Sequence, residues 1–315
     1  MPSAFADDTT SIDRDRDIKT AQVMLAAGDY AQAFAIYHAA ATNDHHPLAQ
    51  FSLAQFYQNG WGRAVDHHLA CNWFERAAQN GIPAAQHMTG LCYEAGMHCL
   101  ADSTAAAGWF HKAAQAGHLN SLCHLGNLMM TGNGIAKDPN KALELCRSAA
   151  LQGSVPAQIW MGKLYLYGDP TVRNPQDAYQ WFLAAAQKHT AEAFYHLGLM
   201  LDQGLIESHD AAQPRQLFEQ AASLKHIPAY FQAGKQFFAA EPDSETNRLS
   251  AEHLAKAYLW ISAAIEQSND TEQVASARTI RQQILAVMPP TWQEELDRMV
   301  AQHVQSDKSP FNASE

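Results

Sequence analysis

Histidine and cysteine are the residues of this chain with the clearest potential for metal chemistry, and there are sixteen histidines and five cysteines. Zinc is held in proteins by thiolate sulfur and imidazole nitrogen. One conceivable set, drawn from neighbouring segments, consists of Cys92, Cys99, Cys123 and His124. Its spacing matches no standard zinc motif. We therefore expect no metal and no cofactor, with small buried thiols and scattered surface histidines.

Motifs of catalysis and phosphate binding do not occur in the sequence. There is no G-x-S-x-G elbow, no H-E-x-x-H motif, no phosphate-binding loop and no C-x-x-C pair. The segment Gly132-Asn133-Gly134 is predicted to be a turn that ends a helix, because no strand precedes it as a nucleotide fingerprint requires. The sequence thus predicts a protein with no catalytic residues that is not an enzyme.

The charge balance argues against nucleic acid as a partner. The chain has 32 acidic and 21 basic side chains, a net charge of −11, and no compensating basic stripe. A phosphate backbone would be repelled by this charge. No apolar run approaches the roughly 18 residues that span a bilayer, so membrane insertion is not expected.

The elements that would position any site follow a period of 36 residues. Two ladders of small residues show this period, and the first six copies stay in phase. A fixed period of this length is the mark of a solenoid, in which each unit buries its apolar face against its neighbours. The ladders are Ala54, Gly90, Gly126, Gly162, Gly198 and Gly234, and Gly60, Gly96, Gly132, Gly168 and Gly204.

Each repeat is predicted to contain two helices, here called helix A and helix B. Helix A carries small and apolar residues at offsets of zero, four, five and eight, which lie on one helical face, and it ends at the second glycine ladder. Helix B is predicted to start at a capping Asp or Asn. These caps are Asp66, Asp102, Asp138, Asn174 and Asp210. Because Pro214 replaces a small residue, the fifth helix B is expected to start late.

Helix B also carries a column of tryptophans that is predicted to be core. Its members are Trp73, Trp109, Trp181 and Trp260. On this interpretation, Trp181→Ala should cost about 3–5 kcal/mol.

The repeat resembles the Sel1-like repeat family, a relative of the tetratricopeptide repeats. The residues from Ser121 to Gly126, from Gly132 to Gly134 and from Asp138 to Ala142 follow that family's pattern closely. The end of the chain, with Lys256-Ala-Tyr-Leu-Trp260 and the helix ending at Met288, is also similar to how many bacterial members finish. The resemblance implies bacterial origin, a non-catalytic protein-binding role, and involvement in signalling, envelope assembly or secretion.

The fold class expected from these observations is an all-α, right-handed α/α solenoid of about seven helix pairs with a C-terminal helical cap. Order is predicted to begin near Ile18. The expected segments are a mobile start at 1–17, the Sel1-like solenoid at 18–240, an exposed insertion loop at 241–250, the last repeat helix and cap at 251–304, and a flexible tail at 305–315.

A second stripe on helix A lies away from the core columns and is the candidate partner-binding surface. In alpha solenoids the inner helices line the concave groove. The residues predicted to line the groove here are His124, Asn127, Trp160, Lys163, Tyr167 and His196. Trp160 has two readings that stay open: exposure in the groove, as for a binding hot spot, or packing on a neighbouring helix.

We expect these residues to bind another protein or a peptide segment of it, with the chain acting as an adaptor or scaffold and as a monomer. The alternative is an inhibitor, such as an immunity protein that occludes a bacterial toxin. The sequence does not identify the partner.

The cysteines and the N-terminus bear on the compartment. No two cysteines share a column of the repeat, so free thiols in a reducing, cytoplasmic compartment are the simpler expectation. Ser3-Ala4-Phe5-Ala6 before Asp7 is similar to the end of a cleaved leader, but no apolar segment precedes it. A periplasmic location is the alternative if a leader upstream of Asp7 was trimmed.

Overall fold

The protein is described by a computed structural model that covers residues 6–207, 210, 212–244, 246 and 248–305, with side chains from Arg16 onward. Within these residues the structure is all α-helical and contains no strand, as predicted. In chain order the helices are α1 (Ala6–Ala26), α2 (Tyr30–Thr42), α3 (Pro47–Asn59), α4 (His67–Gln79), α5 (Pro83–Ala95), α6 (Ser103–Gln115), α7 (Leu119–Thr131), α8 (Pro139–Leu151), α9 (Val155–Tyr167), α10 (Pro175–Ala186), α11 (Ala191–Asp202), α12 (Gln213–Ser223), α13 (Ile227–Phe238), α14 (Ala251–Gln267), α15 (Thr271–Val287), the short 3₁₀ helix Pro290–Trp292, and α16 (Gln293–Gln305).

The chain divides into two compact units, the first with α1–α8 up to Ser154 and the second with α9–α16 from Val155 onward. In the first unit, each helix packs on the next one in the chain, and α3/α4, α5/α6 and α7/α8 are the closest pairs. In the second unit the pairs are α9/α10, α11/α12 and α13/α14, and both α15 and α16 pack on α14. The predicted repeat of helix pairs followed by C-terminal helices is confirmed.

Four of the five predicted N-caps position B helices, whereas the prediction for Asp210 is wrong because the N-cap of α12 is Ala212. Asp66 accepts a hydrogen bond from the backbone N–H of Leu69 at 2.9 Å, and Asp102 accepts two at 3.0 Å. Asp138 and Asn174 cap α8 and α10 in the same way. Each cap satisfies N–H groups that have no partner within the helix. Helix α12 starts late, at Gln213, as the proline at its second position predicted.

The first ladder of small residues marks the positions where the A helices contact the B helices. A Cβ added to Gly162 would lie 2.7 Å from Cε1 of Phe182, and one added to Gly90 would lie 2.6 Å from Cε1 of Phe110. Gly198 faces Phe218 in the same way. These phenylalanine rings are fully buried. The aromatic ring of helix B therefore packs against the small residue of helix A.

The tryptophan column is only partly core, which corrects the sequence prediction. Trp73 and Trp260 are buried, at 9% and 4% exposed, whereas Trp109 and Trp181 are half-buried. At the two half-buried tryptophans the next residue fills the core instead, because Phe110 and Phe182 point at Gly90 and Gly162 of helix A. The fully buried column is Phe74, Phe110, Phe182 and Phe218.

Four of the five cysteines are paired, so the expectation of free thiols is wrong. Disulfides join Cys71 to Cys92 and Cys123 to Cys146, while Cys99 is free and exposed. Each bridge links a B helix to an A helix, so its two cysteines occupy different columns of the repeat. Comparing positions within one column could not reveal such a pair. Each bridge closes a loop of just over twenty residues and should stabilise the fold by about 3 kcal/mol.

The ends of the chain differ in part from expectation. Helix α1 extends back to Ala6, although order was predicted to begin near Ile18. Once the apolar second half of α1 is anchored, adding residues to an existing helix is inexpensive. The predictions for residues 1–5 and 306–315 lie outside the described residues. The part of the chain that the structure describes includes no helix long and apolar enough to cross a membrane.

Candidate partner-binding surface

The six residues predicted to bind a partner are distributed over the two units. His124 and Asn127 are on α7 in the first unit, and the other four are in the second. Trp160, Lys163 and Tyr167 lie on α9, and His196 lies on the next A helix, α11. The face of α9 and α11 that carries these four residues is called here the A-helix surface. Lys163 and Tyr167 are exposed on it, Trp160 is half-buried, and His196, predicted to line a groove, is buried.

Tyr167 and His196 contact each other on the A-helix surface. The Tyr167 hydroxyl lies 3.3 Å from Nδ1 of His196, within hydrogen-bond distance. His196 is 7% exposed, and its ring stacks on Phe182 with centroids 4.7 Å apart. Tyr167 is 54% exposed although its hydroxyl is held. The buried histidine therefore fixes an aromatic side chain that faces solvent.

Lys163 is anchored by Glu192, which the sequence analysis did not identify. The ammonium of Lys163 pairs with Oε1 of Glu192, and Nε2 of His196 lies 3.9 Å from the same oxygen. His196 and Lys163 together hold the pKa of Glu192 down to about 2. The signal available in the sequence was the spacing of Glu192 and His196, four residues apart on one helix.

His196 links Tyr167 to the ion pair of Lys163 and Glu192. Its Nδ1 lies within hydrogen-bond distance of the Tyr167 hydroxyl, and its Nε2 faces the Glu192 carboxylate. The four side chains thus form one connected network, in which Lys163 pairs with Glu192. Such a network restricts the rotamers of the exposed groups.

The surroundings of this network are aromatic. The Tyr195 and His226 rings lie 4.8 Å apart, and burial lowers the pKa of His226 and raises that of Tyr195. Trp160 is half-buried, between the two readings that the sequence left open. The A-helix surface thus combines half-exposed aromatic rings with a fixed cation.

In the first unit, His124 belongs to a cluster of three histidines. The ring centroid of His87 is 4.5 Å from that of His118 and 5.0 Å from that of His124. Both His87 Nδ1 and His118 Nδ1 lie 2.9 Å from the Ser121 hydroxyl. His124 also stacks on Phe110. Asn127 is exposed on the same helix.

Burial sets the protonation of this histidine cluster. It lowers the pKa of His87 to about 3, with a further contribution from the charges that His124 and His118 would carry. The pKa values of His118 and His124 are lowered for the same reason. Glu94, whose carboxylate lies 4.0 Å from His124 Nδ1, has a pKa raised by burial. At neutral pH the three imidazoles are uncharged packing groups.

The conceivable metal set of Cys92, Cys99, Cys123 and His124 is not assembled. Cys92 on α5 is bonded to Cys71 on α4, whereas Cys123 on α7 is bonded to Cys146 on α8. The potential ligand atoms that converge within 4.8 Å of one another belong to Cys71, Cys92 and His98.

Repeated pairs of A and B helices, with a phenylalanine of one against a glycine of the other, define an α/α repeat protein. The Sel1 repeat family model matches residues 24–45, 47–82, 83–118, 120–154, 155–189 and 191–226. Because these matches cover more than half of the chain, the protein belongs to the Sel1 repeat family. No functionally curated protein matches it.

Solved structures that match this chain come from several bacteria. A Sel1 repeat protein from Oxalobacter formigenes is 24% identical, with 80% of this chain aligned to 100% of that one and a TM-score of 0.65. A protective antigen present in uropathogenic Escherichia coli strains is 19% identical over 96% of this chain and 80% of that one, with a TM-score of 0.38. An immunity protein from Pseudomonas aeruginosa is 19% identical over 67% and 82%, with a TM-score of 0.47. Of these three, the Oxalobacter protein supports the fold, and the likeness concerns the fold alone.

Proposed function

We propose that this protein is a non-catalytic scaffold that holds a partner protein, or a peptide segment of it, on the A-helix surface. The observation that carries the proposal is the fixed and exposed Tyr167 beside an anchored Lys163. Tyrosine is enriched among the residues that dominate binding energy at interfaces. Proteins of this fold class present stacked helices for protein binding.

Pre-organisation is the physical reason to place binding there. A flexible side chain that becomes ordered in an interface costs roughly 0.5–1.5 kcal/mol. The hydroxyl of Tyr167 and the ammonium of Lys163 are already held by His196 and Glu192 in the free protein. The ordering cost of these two side chains is therefore largely paid when the protein folds, and a partner binds groups that are already in a defined orientation.

The proposal extends to Trp160, on the same helix face, and to His124 and Asn127 in the first unit. His124 and Asn127 stand in the same columns of the repeat as Trp160 and Lys163. Asn127 is exposed and His124 is half-buried. They form a second candidate patch for partner binding.

The test is site-specific photo-crosslinking in a lysate of the source organism. A photoreactive phenylalanine analogue replaces Tyr167 in one sample and Val172 in the control. Val172 is 39% exposed in the segment between α9 and α10. The proposal expects a discrete crosslinked partner at Tyr167 and none at Val172. Equal crosslinking at both positions, or none at either, would contradict it.

Affinity for the identified partner then measures the contribution of the surface. The variant Lys163→Ala with Tyr167→Ala should bind at least tenfold more weakly, while Lys188→Ala with Val172→Ala should bind like the wild type. Both pairs change exposed side chains, so equal circular dichroism spectra serve as the folding control. A tight one-to-one complex that abolishes an enzymatic activity of the partner would identify the inhibitor role instead of the adaptor role.

A further inference from the structure

A cluster of metal-binding side chains lies in the first unit, separate from the A-helix surface. Cys71 is on α4, Cys92 is on α5, and His98 is in the segment between α5 and α6. One ligand atom from each of the three residues lies within 4.8 Å of the others. Two sulfurs and one imidazole nitrogen are a common set of protein ligands for Zn²⁺.

The histidine of this cluster is buried and oriented. The His98 side chain is 6% exposed, and its Nε2 lies 3.6 Å from Oε2 of Glu75. The hydroxyl of Tyr93 donates to the other oxygen of that carboxylate at 3.1 Å. A carboxylate that orients a histidine is the usual second layer of a zinc site, and it raises the basicity of the ring.

A third thiol is close to the same imidazole. The sulfur of Cys99 lies 4.0 Å from Nδ1 of His98, and Cys99 is exposed and unpaired. With Cys71, Cys92 and His98 it would complete four ligands, the number that tetrahedral zinc sites use. Cys99 itself lies outside the set of atoms that converge within 4.8 Å, so its exposed sulfur has to move toward the other three. Because Cys99 lies in the segment between α5 and α6, this movement does not require either helix to shift.

Oxidation decides whether Cys71 and Cys92 can act as ligands. In the structure they form a disulfide, with Cα atoms 5.8 Å apart. A protein dithiol can reduce it: the dithiol gives up two electrons and two protons and becomes a disulfide, while the Cys71–Cys92 bond becomes two thiols. Each thiol that then binds the metal releases its proton. At a Zn–S distance of about 2.3 Å, two thiolates on one zinc lie roughly 3.8 Å apart, so the two cysteines can bind one ion only after their bond is reduced.

We propose that the reduced protein binds one Zn²⁺ ion through Cys71, Cys92, His98 and Cys99, with Glu75 orienting His98. Formation of the Cys71–Cys92 disulfide and zinc binding exclude each other, so the site reports the thiol redox state. The ion would link α4, α5 and the following segment, as the disulfide links α4 to α5 in the oxidised protein.

The second disulfide is an internal control. Cys123 and Cys146 are as buried as the first pair, and among the described residues no third ligand converges with them. Reduction should therefore create one metal site and leave the second pair as two thiols without metal.

The test uses the full chain, reduced with a phosphine under anaerobic conditions and titrated with Co²⁺, followed by competition with Zn²⁺. The expected result is one equivalent of Co²⁺ with thiolate charge-transfer bands and the intense visible bands of a tetrahedral site, all displaced by Zn²⁺. The oxidised protein should give none of these bands. The double variant Cys71→Ser with Cys92→Ser should abolish them, whereas the double variant Cys123→Ala with Cys146→Ala should keep them.

The variant Glu75→Gln distinguishes loss of metal binding from loss of folding, because it changes no ligand and little volume. It should weaken metal binding by about 10- to 100-fold, and Cys99→Ser should remove one thiolate from the charge-transfer intensity. Circular dichroism is recorded for every sample. Absence of the tetrahedral spectrum in reduced wild type overturns the proposal. A spectrum that survives the double variant Cys71→Ser with Cys92→Ser, or an affinity that Glu75→Gln leaves unchanged, overturns it as well.

Discussion

Acidification should destabilise the first unit through His87. Its imidazole is 9% exposed and lies against His118 and His124, and burial lowers its pKa to about 3 from an ordinary value of 6.5. Between these two values the unfolded chain binds a proton at this position and the folded protein does not. The free energy of unfolding therefore falls as the pH drops below 6.5, and the loss is complete near pH 3.

The magnitude follows from the two pKa values. The full difference corresponds to roughly 4–5 kcal/mol, and about 2 kcal/mol of it is lost by about pH 5. The lowered pKa values of His118 and His124 act in the same direction. Glu94 acts in the opposite direction, because its raised pKa makes the folded state bind protons more readily. Comparison with a His87 variant isolates the contribution of the one residue.

The assay is urea unfolding at about pH 7.5 and about pH 5, followed by circular dichroism. The variant His87→Asn keeps a side-chain nitrogen near the Ser121 hydroxyl and does not titrate. It should lose about 2 kcal/mol less than the wild type between the two pH values. His111→Asn, which changes an exposed histidine on α6, should lose as much as the wild type. Equal losses in wild type and His87→Asn would refute the reasoning, as would a His87 pKa near 6.5 measured by NMR.

Three further predictions concern packing. Phe182→Ala should lower the free energy of unfolding by about 3–5 kcal/mol, and Trp181→Ala should lower it clearly less, because the phenylalanine is fully buried and the tryptophan is not. Equal losses in urea unfolding would contradict this. Gly162→Ala should destabilise by about 1–3 kcal/mol because its Cβ meets a buried ring, whereas Gly108→Ala, with nothing within 4 Å, should stabilise by up to about 1 kcal/mol. A change of the same sign at both sites would contradict this explanation of the glycine positions. Tyr258→Phe should cost about 1–3 kcal/mol, since the buried hydroxyl donates to a carboxylate at 2.6 Å; a thermal unfolding midpoint equal to that of wild type would show that this bond contributes nothing.

The sequence alone determined the repeat, the helix pairs and most of their boundaries. These features depend on contacts between residues close in the chain. A capping Asp bonds an N–H three residues on, and a C-terminal glycine adopts a left-handed conformation that its own helix requires. Because such signals return every 36 residues, each copy supports the assignment of the others.

The sequence also located three of the four residues of the network on the A-helix surface. Lys163, Tyr167 and His196 were found because they share a stripe of helix A that the core columns leave free. Glu192 lies outside that stripe near the start of α11, and only the approach of α9 to α11 shows that it pairs with Lys163.

The tertiary structure decided which of two neighbouring aromatic residues fills the core. Trp181 and Phe182 are both apolar and adjacent, and a repeat pattern cannot distinguish them. The difference arises because Phe182 faces Gly162, whose missing side chain leaves room for one ring. The same holds for the cysteines: Cys71 and Cys92 stand in different columns, and their pairing depends on how α4 packs on α5. Contacts along one helix are encoded by spacing, whereas contacts between helices depend on shapes that meet only after folding.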